Sequence, residues 1–128
     1  MKVLLDTHAL LWWFTDDPRL STKARALISD ADNEILVSAA SAWEIATKHR
    51  LGKLEEAAEA VIRFNELIAA DSFIHLPIYY QHGLRAGLYR TAHRDPFDRM
   101  LAAQAEIEVI PLVTLDSAFK QFEIVTLW

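Results

Sequence analysis

The segment KVLLDTHALLWWF, residues 2–14, decides how the rest of the chain is interpreted. It opens with a short apolar run that ends at Asp6 and continues into a helix-like stretch from Thr7 to Phe14. A strand that leads into a helix is the first half of an α/β unit. Because ligands bind at the carboxyl ends of the strands in open parallel sheets, the acid at this junction is a candidate site residue.

The same alternation of short apolar runs and helical periodicity continues to the end of the chain. Further strands are predicted at residues 34–38, 73–78, 109–114 and 123–127, and helices at residues 21–32, 41–51, 54–70, 79–89 and 97–106, with a helical turn at 116–121. Gly52 is the expected C-cap glycine of the third helix. The pattern predicts a three-layer α/β/α fold, with a central, mainly parallel sheet of four or five strands.

Composition limits the functions that remain open. A chain of 128 residues that is 52% hydrophobic predicts one core and one domain over residues 1–128. The absence of cysteine restricts any metal to oxygen or imidazole ligands and fits a cytoplasmic location. The apolar stretch at residues 9–14 is too short for a signal peptide or a membrane span. The net charge of −5 argues against a broad basic surface, although four carboxylates in one site would account for most of it.

Acids stand at four of the predicted junctions. Asp6 and Asp116 follow strands, Glu44 lies six residues past the second strand in what should be the first turn of its helix, and Asp98 opens the sixth helix. Each acid also has a structural interpretation: Asp6 and Asp116 as helix caps, Glu44 as part of a capping box with Ser41, and Asp98 as a first-turn acid after Asp95 and Pro96. Their convergence on one edge favours a site.

Asp98 has the strongest case of the four. Counting three, four and seven residues onward gives Leu101, Ala102 and Ala105, which form an apolar stripe. A carboxylate on such a stripe needs a partner, and no Lys or Arg of the stripe supplies one. A bound cation would, and oxygen ligands in a cysteine-free chain favour Mg²⁺ or Mn²⁺. Such an ion activates water for phosphodiester hydrolysis.

Rival classes fit less well. A haloacid-dehalogenase-type phosphatase would need a second Asp two residues after Asp6, where His8 stands. A receiver domain would need an Asp after the third strand and a Lys after the last, and neither is present. A non-catalytic interaction module with the same fold remains the alternative.

Four segments, taken in order, resemble the PIN-domain ribonuclease toxins of the VapC group from bacterial toxin–antitoxin modules. They are KVLLDTHA at residues 2–9, SAWEI at 41–45, HRDPFDR with AAQA at 93–105, and TLD at 114–116. The resemblance implies that the three-layer α/β/α fold is PIN-like, with a parallel sheet flanked by helices. It also implies dependence on Mg²⁺ or Mn²⁺, endonucleolytic cleavage of RNA with transfer RNA as the first guess, and neutralisation by a small cognate antitoxin. The family's acidic positions fall on Asp6, Glu44, Asp98 and Asp116.

These matches lead to a hypothesis for each residue's role. Asp6 and Asp98 would bind metal directly, and Glu44 and Asp116 through water or to a second ion. Thr114 would orient a carboxylate, and Asp95 would be an outer-sphere ligand or a helix cap. The cations expected to contact RNA phosphate are His93, Arg94, Arg99 and Lys48. Lys48 also has a structural interpretation, since it complements the dipole at the end of its helix.

The aromatic residues suggest a partner surface. Trp12, Trp13 and Phe14 are consecutive, so they cannot all face one core from a helix, and at least one should be exposed unless all three pack against neighbouring helices. The resemblance implies that an antitoxin binds around the early helices, which makes Trp12, Trp13 and Trp43 candidate contacts. The early helices and the apolar face of the helix at 54–70 could also support a homodimer.

Overall fold

The computed structural model describes residues 1–55 and 57–128. Its strands and helices follow the predicted alternation. In chain order they are β1 (Lys2–Leu5), α1 (Thr7–Phe14), α2 (Thr22–Ser29), β2 (Glu34–Ser38), α3 (Ala39–Arg50), α4 (Ala57–Ile62), α5 (Phe64–Ala70), β3 (Ile74–Leu76), α6 (Tyr80–Leu88), α7 (Pro96–Glu108), β4 (Leu112–Val113), the 3-10 helix η1 (Ser117–Gln121) and β5 (Thr126–Leu127).

The five described strands form one parallel sheet in the order β3-β2-β1-β4-β5. The central strand is β1, and its last residue, Leu5, pairs with Val37 of β2 and Val113 of β4. Because parallel strands end at the same edge, Asp6, the start of α3 and the residues after Val113 are neighbours there. The predicted fold class is confirmed.

Side chains alternate across the sheet and build a core on each face. Val3 and Leu5 belong to one cluster, together with buried residues of α1, α2 and α5. Leu4 belongs to the other, together with Leu101 and Ala102 of α7. All five of these side chains are 1% exposed or less, so the sheet is covered on both sides and the three layers are as expected.

The third helix begins two residues earlier than predicted, at Ala39. The hydroxyl of Ser38 accepts a hydrogen bond from the backbone N–H of Ala40 at 2.9 Å, so Ser38, the last residue of β2, is the N-cap. Ser41 is instead buried inside α3, where its hydroxyl accepts a hydrogen bond from Thr7 at 3.0 Å. The capping box of Ser41 and Glu44, the structural alternative for Glu44, is therefore not formed. Glu44 lies in the second turn of α3, not in the first as predicted.

Other boundaries also differ from the prediction. The strand predicted at 109–114 is shorter because α7 continues to Glu108 and Val109 caps it in the left-handed region, with φ 54°. The helix predicted at 54–70 is observed as α4 and α5, separated at Arg63, and its position 56 lies outside the described residues. Gly52 follows α3 with φ 70°, as expected for a C-cap glycine.

The early aromatic residues pack against the protein itself. Trp12 is 7% exposed, and Trp13 and Phe14 are half-buried against the same core. Trp13 also donates a hydrogen bond from Nε1 to Asp71 at 3.0 Å. Of the two alternatives, the structure shows packing of all three: Trp13 contacts Asp71 and Phe73, and Trp12 contacts Trp128. Within residues 1–55 and 57–128, no helix is both long and apolar enough to cross a membrane.

Candidate active site

A cleft of about 250 Å³ lies at the carboxyl edge of the sheet. It brings together all four predicted acids from positions that are far apart in the sequence. Its lining consists of Asp6, Thr7, His8, Glu44, Lys48, His93, Asp95, Asp98, Asp116 and Phe119. The acids therefore meet at the carboxyl edge of the sheet, where the sequence predicted a site.

Asp6 is held at both carboxylate oxygens and is only 5% exposed. Its Oδ1 accepts a hydrogen bond from the backbone N–H of Ala9 at 2.7 Å, which caps α1, and its Oδ2 accepts one from the hydroxyl of Thr114. Thr114 in turn accepts a hydrogen bond from the N–H of Asp116 at 3.0 Å. Burial raises the pKa of Asp6, and the charge of Glu44 raises it further, while the two hydrogen bonds oppose the shift.

Glu44 is buried to 3% exposure and forms an ion pair with Lys48, one helical turn further along α3. Burial alone would lower the pKa of Lys48, yet the hydrogen bond to Glu44 and the charges of Glu44, Asp95 and Asp98 raise it. The i, i+4 spacing of Glu44 and Lys48 was a readable signal for this pair. Sequence reasoning assigned Lys48 only to RNA or to the helix dipole and missed it.

Asp98 lies on α7 with its side chain 18% exposed. The neighbours predicted to share its apolar stripe, Leu101, Ala102 and Ala105, are all buried. The partner of the carboxylate comes from the preceding loop: Nε2 of His93 is 2.8 Å from Oδ2. Burial and the charges of the nearby acids raise the pKa of Asp98 to about 6, against the opposing hydrogen bond from His93.

Asp95 and Asp116 are both helix caps. Oδ1 of Asp95 accepts hydrogen bonds from the N–H groups of Phe97 and Asp98 at 2.9 and 3.0 Å. Oδ1 of Asp116 accepts one from Ala118 at 2.9 Å and starts η1. Both also line the cleft, so capping leaves one oxygen of each without a capping role.

The donor set fits a hard divalent cation. Asp6 and Asp98 have raised pKa values because burial and neighbouring acids disfavour their charge, which a cation would offset. In the part of the chain that the structure describes, no three carboxylate or imidazole groups are grouped as a ready-made metal site. Since Lys48 and His93 contact Glu44 and Asp98, a cation would have to compete with both for these carboxylates.

Arg99 makes hydrogen bonds inside the protein that the sequence did not predict. Its guanidinium donates hydrogen bonds to three backbone carbonyls, those of Ala86, Tyr89 and His93, at 3.0, 2.6 and 2.9 Å. Three of its five N–H donors are therefore used inside the protein, and they fasten the end of α6 and the loop carrying His93 to α7. The contact with RNA stays a prediction.

We expect Arg99→Ala to lower the free energy of unfolding by about 2 kcal/mol, because hydrogen bonds from a charged donor to three carbonyls are lost. Urea denaturation measures the change. Arg94→Ala is the matched control, since Arg94 is an exposed residue of the same loop and should have little effect. Equal losses of unfolding free energy for the two variants would contradict this stabilising role of Arg99.

Three kinds of comparison relate the chain to known proteins. A family profile described as the PIN domain matches residues 3–125. Over 41 residues the chain is 58% identical to Ribonuclease VapC16 of Mycobacterium tuberculosis, an alignment that covers 29% of each protein. The shared stretch is therefore under a third of that relative's length.

Solved structures with the same fold cover nearly the whole chain. VapBC2 from Rickettsia felis, bound to a promoter DNA fragment, matches with TM-score 0.71 and 16% identity over 99% of this chain and 98% of that one. FitAcB from Neisseria gonorrhoeae matches with 0.68 and 16%, over 98% and 96%. VapBC-1 from nontypeable Haemophilus influenzae matches with 0.66 and 18%, over 99% and 97%. At these identities the likeness shows the fold.

Proposed function

The chain belongs to the PIN domain family, and on that premise we propose that it is a divalent-metal-dependent endoribonuclease, the toxin of a toxin–antitoxin pair. The observation that carries the proposal is the convergence of Asp6, Glu44 and Asp98 on one cleft despite their burial. A purely structural site would not need Asp6 and Asp98, whose ionisation the fold disfavours. The likeness to Ribonuclease VapC16 supports the same activity.

Asp6 and Asp98 would hold Mg²⁺ or Mn²⁺ directly, with Glu44 and Asp116 acting through water or on a second ion. A bound ion supplies a water of lowered pKa and neutralises charge on the phosphate oxygens. The chain's own contribution is orientation. Thr114 and the backbone of Ala9 fix both oxygens of Asp6, and His93 fixes Oδ2 of Asp98.

The cations around the cleft would position RNA. Lys48 and His93 line the cleft, and their side chains are 26% and 20% exposed. Arg94 is exposed on the loop before α7. These groups can contact phosphates on either side of the cleaved bond. Transfer RNA is the substrate class we favour, and a cytoplasmic location follows from that substrate.

We propose a small antitoxin as partner, which is consistent with the VapBC and FitAcB structures that share this fold. Trp43 is the aromatic that suits such a contact, being 55% exposed and set edge-on to Phe97 at 4.6 Å. Trp12 is not retained as a candidate antitoxin contact because it is buried, and the ring of Trp13 is half-buried. Val61 and Ile62 are exposed apolar residues of α4, and we also propose that a homodimer forms through that helix.

Sequencing of RNA ends after brief expression tests this function. Wild-type protein should produce discrete new ends that disappear on co-expression of the neighbouring small gene, and Asp6→Asn should produce none. The alternative, an inactive interaction module, predicts unchanged RNA ends together with intact partner binding. That outcome would overturn the proposed activity.

The affinity for Mn²⁺ should decrease as the pH is lowered. Metal binding requires ionised carboxylates, and Asp98, with a pKa of about 6, is mostly ionised at pH 7 and mostly protonated at pH 5. We expect about tenfold weaker binding at pH 5 than at pH 7 from this residue. Calorimetric titration with Mn²⁺ measures it, and Asp98→Asn should show a smaller dependence on pH. An affinity that is the same at both pH values would exclude Asp98 as a ligand.

A further inference from the structure

A second cleft of about 210 Å³ adjoins the active-site cleft. The two share Asp6, His8 and Asp116 in their linings. The second cleft adds Trp12, Arg19 and Leu115, so its far side consists of an indole, a guanidinium and an aliphatic side chain. Nothing in the proposed chemistry at the acids uses these three residues.

Arg19 presents a fixed flat surface in this cleft. Asp17 holds its guanidinium from one edge, with Nε 3.1 Å from Oδ1 and Nη2 2.8 Å from Oδ2. The guanidinium carbon lies 4.9 Å from the centre of the Trp12 ring. With these contacts in place, the Arg19 side chain is still 60% exposed, so part of its surface is accessible to a planar group.

Leu115 supplies an exposed apolar contact beside the acids. It stands between Thr114, which orients Asp6, and Asp116, and it is 56% exposed. His8, which also lines this cleft, is exposed, and its ring lies 5.7 Å from that of Trp12. A flat cation, an aliphatic side chain and an imidazole thus surround one space next to the proposed reaction site.

We propose that this second cleft binds the nucleobase of a nucleotide flanking the cleaved phosphodiester bond. The inference rests on the proposed ribonuclease function and adds a substrate contact to it. Bases stack on arginine planes and against apolar side chains in proteins that bind single-stranded RNA. A phosphate is less suited to this space, because Asp17 already neutralises Arg19 and both Asp6 and Asp116 border it.

A chemical double-mutant cycle tests the contact. Binding of a labelled oligoribonucleotide containing the mapped cleavage site is measured by fluorescence anisotropy, in an Asp98→Asn background that slows cleavage enough for binding to be measured. Each flanking nucleotide is then made abasic in turn, and each RNA is measured with and without Arg19→Ala. For one flanking position we expect about a tenfold loss from either change alone and almost no further loss from both together.

Two further variants make the result specific. Leu115→Ser should weaken binding of the same intact RNA and change the base preferred at that position in cleavage by otherwise wild-type protein. Arg63→Ala is the matched control, since Arg63 is also an exposed arginine paired with acids, Glu59 and Glu66, but lines neither cleft. It should leave affinity and base preference unchanged.

The outcomes separate this inference from the function on which it rests. Suppose that wild-type protein cleaves RNA, but Arg19→Ala causes no loss of RNA affinity or a loss that multiplies with that of the abasic change. The base contact is then wrong, while the proposed ribonuclease activity is not affected. An unchanged base preference in Leu115→Ser also counts against the subsite. If wild-type protein neither cleaves nor binds RNA, the proposed function and the subsite both fail.

Discussion

Asp98→Asn is expected to slow RNA cleavage about 100-fold or more while leaving the fold intact. The substitution keeps the size and planar shape of the side chain but removes the negative charge that would hold the metal ion. It also changes the bond with His93, whose Nε2 lies 2.8 Å from Oδ2 in the wild type. Cleavage rates at saturating Mg²⁺, on the RNA identified by end sequencing, measure the effect.

Stability provides the control for this variant. The pKa of Asp98 in the folded protein is about 6, above its ordinary value of 3.8, so the fold disfavours the ionised form. Stability from the protonated form is therefore fully present below about pH 4 and lost as the pH rises through 6. Without divalent ions, Asp98→Asn should melt no lower than the wild type at pH 7.5. A variant that unfolds, or one that cleaves normally, would refute the assignment.

The surroundings of Asp98 were predicted correctly because the evidence for them is local. An apolar stripe at i+3, i+4 and i+7 is a property of one helix, and Leu101, Ala102 and Ala105 are buried as expected. The bounds of α1 were predicted for the same reason, since an acid that can cap stands directly before a helical run. Features set within one element were within reach of sequence reasoning.

Features that depend on contacts between elements could not be predicted from the sequence. Ser38 and Ser41 are equally good caps in sequence, and the choice depends on Thr7, which lies 34 residues before Ser41 and donates a hydrogen bond to it. Arg99 follows an acid in a motif rich in cations, which suggested RNA. Its actual acceptors are carbonyls of α6 and of the following loop, whose positions depend on how α6 packs on α7.

Asp6→Asn and Asp6→Ala should separate the chemical role of Asp6 from its structural one. Both variants should lose cleavage about 100-fold or more, since neither carries the charge that binds metal. Only Asp6→Ala should lose the cap of α1, because an asparagine oxygen can still accept the hydrogen bond from Ala9. We expect Asp6→Ala to be about 1 kcal/mol less stable than Asp6→Asn in urea denaturation.

The two variants also differ toward Thr114. In the wild type the Thr114 hydroxyl donates to Oδ2 of Asp6 and accepts from the N–H of Asp116 at 3.0 Å. An asparagine nitrogen at Oδ2 can donate to Thr114, whose hydroxyl has two lone pairs, so this link to Asp116 survives in changed form. In both variants the Thr114 hydroxyl loses its acceptor at Oδ2, but only in Asp6→Ala does this buried hydroxyl lose every partner on residue 6. Cleavage retained by Asp6→Asn but lost by Asp6→Ala would mean that Asp6 orients the site rather than binding its metal.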